Sequence, residues 1–250
     1  MLISRIGRSL GVVSLIAAMA VVGVTQANGA EKAGSAADPA DRAEAGRLVT
    51  EATKAVEGYR DGEVGGTFRA AVAKARAVLI VPQFERAGFG LGGEGGAGVL
   101  LTKLPGAAGW TYPAFFEVGG PTLGAQIGFE TGALVIVIHN QQTLNEIMDG
   151  ELAFGAEARA VAGSKGVAAQ TTTTGGDKID LFFRSSGVFA GAILKGGEIR
   201  PVRKFNAAYY PNPAEPEDIL KATGPKNPHA DGLRAALSGL MAPPKPMPIN

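Results

Sequence analysis

Between Gly88 and Gly98, seven of eleven residues are glycine, at 88, 90, 92, 93, 95, 96 and 98. No helix interior tolerates that density, because each glycine costs about 1 kcal/mol there relative to alanine. Gly88, Gly90 and Gly92 recur at period two, so in a strand they share one face. A face without side chains lets another backbone or a large side chain come close. Apolar runs flank the stretch, Val78–Val81 closed by Pro82 on one side and Val99–Leu101 on the other. Ala77–Leu101 therefore reads as a glycine-faced β segment at the centre of a tightly coiled sheet. The 37 glycines of the whole chain also favour β structure with many turns.

The same letters, Gly88-Phe89-Gly90-Leu91-Gly92-Gly93, match G-x-G-x-x-G after an apparent strand. A dinucleotide site needs that turn to open a helix whose N-terminus holds the pyrophosphate. Here more glycine and a β-like run follow, and Glu117 lies too far on to serve as the acidic ribose partner. The structural reading stands ahead, and no cofactor is expected.

With 250 residues, 46% hydrophobic and 19% charged, the chain can bury a sizeable core and is globular in composition. It has no cysteine, which removes disulfides, thiolate metal sites, cysteine nucleophiles and lipid attachment through cysteine. His139 and His229 are far apart, so a His-rich metal site is not expected. Arg5 and Arg8 precede an apolar run from Leu10 to Val24, followed by small residues. This is the pattern of a signal peptide over residues 1–30, cut after Ala27 or Ala30. Its loss removes two arginines and no acid, leaving 22 basic and 23 acidic side chains. A nearly neutral chain offers no global attraction to nucleic acid.

Residues 31–37 read as a linker. Asp38-Pro39 then provides an N-cap and first helical residue. Ala45, Leu48, Val49, Ala52, Ala55, Val56 and Tyr59 recur at helical spacing. That helix either packs on the main domain or lies on a membrane surface. Its alanine-rich stripe and mixed charges, Arg47, Glu51 and Lys54 among them, favour packing. A second helix is expected over Gly66–Lys74. Strands are expected over Trp110–Val118, Leu123–Phe129, Ala133–Ile138, Leu152–Ala162, Val167–Thr174, Ile179–Arg184 and Gly187–Leu194. Leu134–Ile138 is apolar throughout, so both its faces are buried. Thr143–Met148 reads as a short helix opened by a capping box, and Gly175-Gly176-Asp177 as a hairpin turn. Short helices at Glu217–Lys221 and Leu233–Leu240 precede a Pro-rich tail from Pro243.

Several separated segments together resemble the SYLF domain family, secreted bacterial members included. They are Ala77–Pro82, Ala87–Gly93, Gly96–Leu100, Trp110 with Pro113-Ala114, Gly124–Gly128, Ser186–Gly191, Asn206–Tyr210 and Asp218–Leu220. The resemblance covers about residues 45 to 222. It implies non-enzymatic binding of membrane lipids, phosphoinositides in eukaryotic members, and in fungal members also of actin filaments. Residues 38–222 are accordingly taken as one SYLF-like domain and 223–250 as a C-terminal extension. The expected fold is α+β, mainly β: a strongly twisted antiparallel sheet or barrel-like core with a packed N-terminal helix.

Lys178–Lys204 is the one strongly one-signed region, with six basic side chains against Asp180 and Glu198. Arg184, Lys195, Arg200, Arg203 and Lys204 are its candidate lipid-binding residues, since guanidinium grips phosphate bidentately and ammonium acts as a point charge. The competing reading is a solvated strand edge guarded by cations. No G-x-S-x-G motif occurs, and Ser185-Ser186 has no histidine nearby in sequence, so no enzyme is expected. The functional expectation is an exported protein, periplasmic or secreted, peripheral on an anionic phospholipid surface. A protein-interaction or structural module of the cell envelope is the alternative.

Overall fold

The computed structural model describes residues 38–61, 64–106, 109–150, 152, 158–162, 167–172, 179–190, 194 and 197–241. The expected leader, linker and Gly175–Asp177 turn, with Lys178, Lys195 and the Pro-rich tail, lie outside the described residues.

Helix α1 (Pro39–Arg60) begins as its sequence dictates. The Asp38 carboxylate accepts the Ala40 amide, and Pro39 occupies the first turn. Ala45, Leu48, Val49, Ala52, Val56 and Tyr59 are buried, and the small alanines let α1 lie close on the sheet. Arg47 bridges Glu44 and Glu51 on the outer face. The Tyr59 hydroxyl is shared between the carbonyls of Ala133, 2.7 Å away, and Phe182, 2.9 Å away. Burial pushes that phenol well above its ordinary pKa. Helix α2 (Gly65–Lys74) follows and adds Phe68, whose ring meets Phe182 edge-on at 5.1 Å.

The remaining strands are β1 (Ala77–Thr102), β2 (Ala114–Ile138), β3 (Ala158–Ala162), β4 (Val167–Thr172), β5 (Ile179–Ala190) and β6 (Glu198–Pro201). The sheet runs β1-β2-β5-β4-β3, with every ladder antiparallel. One edge of β2 pairs with β1 along its length; the other pairs with β6 near Phe116–Gly119 and with β5 from Ile127 to Ile138. Among the described residues no ladder joins β3 back to β1, so the sheet is open and not a closed barrel. Leu134–Ile138 and Ala77–Val81 are completely buried, as a strand covered on both faces requires.

A straight strand of 26 residues would run roughly 85 Å; β1 instead folds over on itself. A Cβ at Gly88 would lie 3.2 Å from the Cα of Gly92. One at Gly96 would lie 2.8 Å from Val81 Cγ1, and one at Gly98 2.9 Å from both the Ile80 carbonyl carbon and Val81 Cγ2. The glycine face is thus where the second half of β1 presses on the backbone of the first. Where the ribbon bends, between Phe89 and Leu91, β2 advances from Ile127 to Leu123. The partner strand travels further around the bend, and extra residues supply the length.

Four expectations are corrected. Pro82 does not end the strand: a register shift between Val81 and Phe84 absorbs a residue that cannot donate to the ladder. The strands expected at Leu123–Phe129 and Ala133–Ile138 are one, because Glu130, Thr131 and Gly132 between them all pair with β1 and β5. Gly132 is needed for close approach, since a Cβ there would lie 2.6 Å from Ser185 Cα. Ile179–Arg184 and Gly187–Leu194 likewise merge, β5 running unbroken to Ala190. Helix α3 (Gln141–Met148) is capped by Asn140, whose side chain accepts the Thr143 amide, and not by Thr143.

Beyond β6 come α4 (Arg203–Tyr209), α5 (Pro216–Ile219), a 3-10 turn at Pro228–Ala230 and α6 (Asp231–Met241). Leu233, Leu237 and Leu240 of α6 are fully buried in the common core. Arg234 donates to the Trp110 carbonyl at 2.9 Å.

Candidate functional site

The structure divides the five cations expected to form one patch. Arg184 lies on β5, opposite Ala133 of β2 and Val167 of β4, with its guanidinium against Gly58 of α1. Arg200 lies on β6 opposite Glu117, at the other end of β2. Lys195 falls outside the described residues. Arg200, Arg203 and Lys204 lie in the short run from β6 into α4, with side chains 61%, 70% and 59% exposed. Each has a carboxylate partner: Arg200 pairs with Glu198, Arg203 with Glu215 at 3.0 Å and Lys204 with Asp41 at 3.2 Å. Exposed pairs of this kind contribute about 0–1 kcal/mol, so a phosphate can displace them. A cavity of about 340 Å³ beside Arg200 is lined by Gly95, Gly96, Gly119, Glu117 and Glu198. Two carboxylates against one guanidinium make it a poor phosphate cradle.

A second feature escaped the sequence reading. Phe89, Leu91 and Phe129 are 81%, 66% and 56% exposed and sit where the β1–β2 ribbon folds over. Gly88, Gly90 and Gly92 alternate with Ala87, Phe89 and Leu91, so one face is bare and the other apolar. The available signal was charge: none occurs from Ala87 to Gly93 or from Val118 to Phe129.

Beneath the bend, Arg86 bonds Glu94 at 3.0 Å and Glu130 at 3.2 Å. The side chains of Arg86 and Glu94 are 2% and 0% exposed. Eight residues of straight strand would hold them about 26 Å apart, so this ion pair exists only because β1 folds over. Burial raises the Glu94 carboxyl above its ordinary value, with Arg86 opposing the shift.

Both histidines have partners. His139 Nε2 lies 2.8 Å from an Asp180 oxygen, tying the ends of β2 and β5 at the mouth of a cleft of about 400 Å³ along α2. His229 meets the Tyr209 hydroxyl at 3.0 Å and Thr50 at 3.5 Å. Among the described residues no three His, Cys, Asp or Glu side chains could hold a metal. No helix there is long and apolar enough to cross a membrane.

A family model named Ysc84, described as Las17-binding protein actin regulator, matches residues 119–240. Protein YSC84 of Saccharomyces cerevisiae is 26% identical over 166 residues, 64% of this chain and 35% of that protein. The SH3 domain-containing YSC84-like protein 1 of Homo sapiens is 26% identical over 165 residues, 65% of this chain and 48% of its own. The chain is thus similar to the SYLF domain family that its motifs resemble. LAS seventeen-binding protein 3 of Saccharomyces cerevisiae is a further relative, 25% identical over 160 residues, 62% of this chain and 35% of its own. The chain spans about a third to a half of these relatives' lengths. Among these relatives, LAS seventeen-binding protein 3 is named for a binding role. No solved structure matches.

Parts of the SYLF motif set now have physical roles. Asn206 is buried and embraces the Phe115 backbone, accepting its amide at 2.8 Å and donating to its carbonyl at 3.4 Å. The Tyr210 hydroxyl donates to the Pro113 carbonyl at 2.7 Å. These bonds fasten α4, and with it Arg203 and Lys204, to the start of β2.

Proposed function

We propose that this SYLF domain is an exported, non-enzymatic module that binds anionic phospholipid through Arg200, Arg203 and Lys204. The observation that carries the reading is that these three cations stand within five residues of one another, on β6 and the start of α4, with exposed side chains in ion pairs that a phosphate can displace. Each cation near an anionic surface contributes about 1 kcal/mol, screened over about 8 Å at physiological salt. Binding is therefore modest and salt-sensitive. Arg184, set apart on β5, takes no part in this contact unless the domain lies along its sheet.

The test is co-sedimentation of the exported chain with vesicles of graded anionic content and salt. Replacing Arg200, Arg203 and Lys204 together by glutamine should abolish sedimentation with anionic vesicles and leave the melting temperature within a few degrees. Undiminished binding would refute the reading. A protein-interaction module is the second reading, favoured by the description of the matching family as Las17-binding. It expects no vesicle of any composition to bind.

A further inference from the structure

We infer that the folded-over apex of the β1–β2 ribbon, Phe89 and Leu91 with neighbouring Phe129, penetrates the bilayer interface. The inference rests on the lipid-surface reading above and names the element that enters the lipid. Among the described residues, these three are the exposed large hydrophobic side chains. They come from two strands that touch through the ladder, Phe129 opposite Ala87 and Phe89 opposite Ile127. Such a patch marks a contact surface.

The chemistry of the surroundings selects lipid. The two facing stretches, 87–93 and 118–129, contain no charged residue. The charges that resume at Arg86, Glu94 and Glu130 are turned inward and bonded to one another. Between Ala87 and Gly93 and between Val118 and Phe129 the apex therefore offers no charge of its own to complement a polar protein rim. It is a projection and not a groove, which suits a partner that deforms around it. Glu85, exposed on the same side of β1 as Ala87 and Phe89, marks a limit to immersion.

Backbone satisfaction also limits depth. The inner edges of the ribbon are paired from Ala87 to Phe89 and from Leu91 to Gly93. Among the described residues, the outer edge of β2 has no ladder between Gly119 and Ile127, and unpaired amides are not tolerated in hydrocarbon. The apex must stop in the interfacial layer, where apolar side chains sit roughly 5–10 Å deep. The Arg86–Glu94–Glu130 cluster holds the bend in shape at that depth.

The absence of cysteine gives a direct test. The exported chain carrying Leu91→Cys, labelled with a polarity-sensitive fluorophore, is titrated with vesicles bearing quenchers at shallow or deep positions. Insertion predicts a blue shift with vesicles and quenching from shallow positions only. In parallel, Phe89→Ser with Leu91→Ser should lower vesicle partitioning by at least about tenfold without lowering the melting temperature, because both side chains are exposed. Co-sedimentation without any spectral change would overturn the inference and leave the surface reading standing. Failure to bind any vesicle would overturn both. A blue shift that follows protein concentration without vesicles would assign the apex to self-association and also overturn it.

Discussion

Gly98→Ala is the sharpest probe of the folded-over strand. The added methyl would lie 2.9 Å from the Ile80 carbonyl carbon and 2.9 Å from Val81 Cγ2, with the Ile80 oxygen closer still. Two of these three atoms are backbone in the Ala77–Val81 run, whose side chains are fully buried, so no flexible side-chain end can yield. The halves of β1 must separate by roughly an ångström in a close-packed core. Overpacking of this kind costs about 1–3 kcal/mol, and backbone involvement places Gly98 at the upper end. Alanine also restricts the unfolded chain, which returns about 0.4–1 kcal/mol. The net expectation is a loss of about 2 kcal/mol, or about 4–8 °C in melting temperature for a domain of this size. Gly93→Ala is the matched control: its nearest neighbour would be the Gly120 oxygen at 4.0 Å. Thermal melts of the two variants beside the parent decide the matter. If Gly98→Ala melts with Gly93→Ala, the glycine face does not bear on the first half of β1 and the folded-over geometry is wrong.

Tyr59→Phe keeps the ring stacked on Phe68 but removes the donor to the Ala133 and Phe182 carbonyls. It should cost about 1–3 kcal/mol in denaturant unfolding, and an unchanged midpoint would show that packing alone holds α1 on the sheet. Glu94 should leave a signature in the pH dependence of stability. Its carboxyl is raised above the ordinary 4.5 chiefly by burial, so the native state binds the proton more tightly than the unfolded chain. The resulting stabilisation is full below 4.5 and is lost as pH rises through the raised native value. Glu94→Gln cannot titrate, so denaturation midpoints of parent and variant, taken from about pH 4 to about pH 7, should diverge against the parent as pH rises. Parallel profiles would show that Arg86 cancels the burial effect.

The sequence by itself determined the elements whose cause is local. Asp38 and Pro39 start α1 because a capping carboxylate and a fixed φ act within one turn. The stripe from Ala45 to Tyr59 and the unbroken apolar run Leu134–Ile138 announce their buried faces by period alone. The glycine face of β1 correctly foretold a close backbone approach, and the family's motifs were legible in order and spacing. Tertiary structure alone decided what met that face. Pro82 and Glu130-Thr131-Gly132 carry turn chemistry, yet neighbours on the ladder held them extended. The cations from Arg184 to Lys204 lie close in sequence and separate in space, because β5 and β6 pair with opposite ends of one long strand. Arg86 and Glu94 look like ordinary solvated charges until the strand between them bends. The exposed Phe89 and Leu91 result from the same bend. Periodicity and capping operate over one to two turns of chain. Which distant surfaces touch depends on the packing of the whole core, and glycine, having no side chain, records that a neighbour comes close without recording which one.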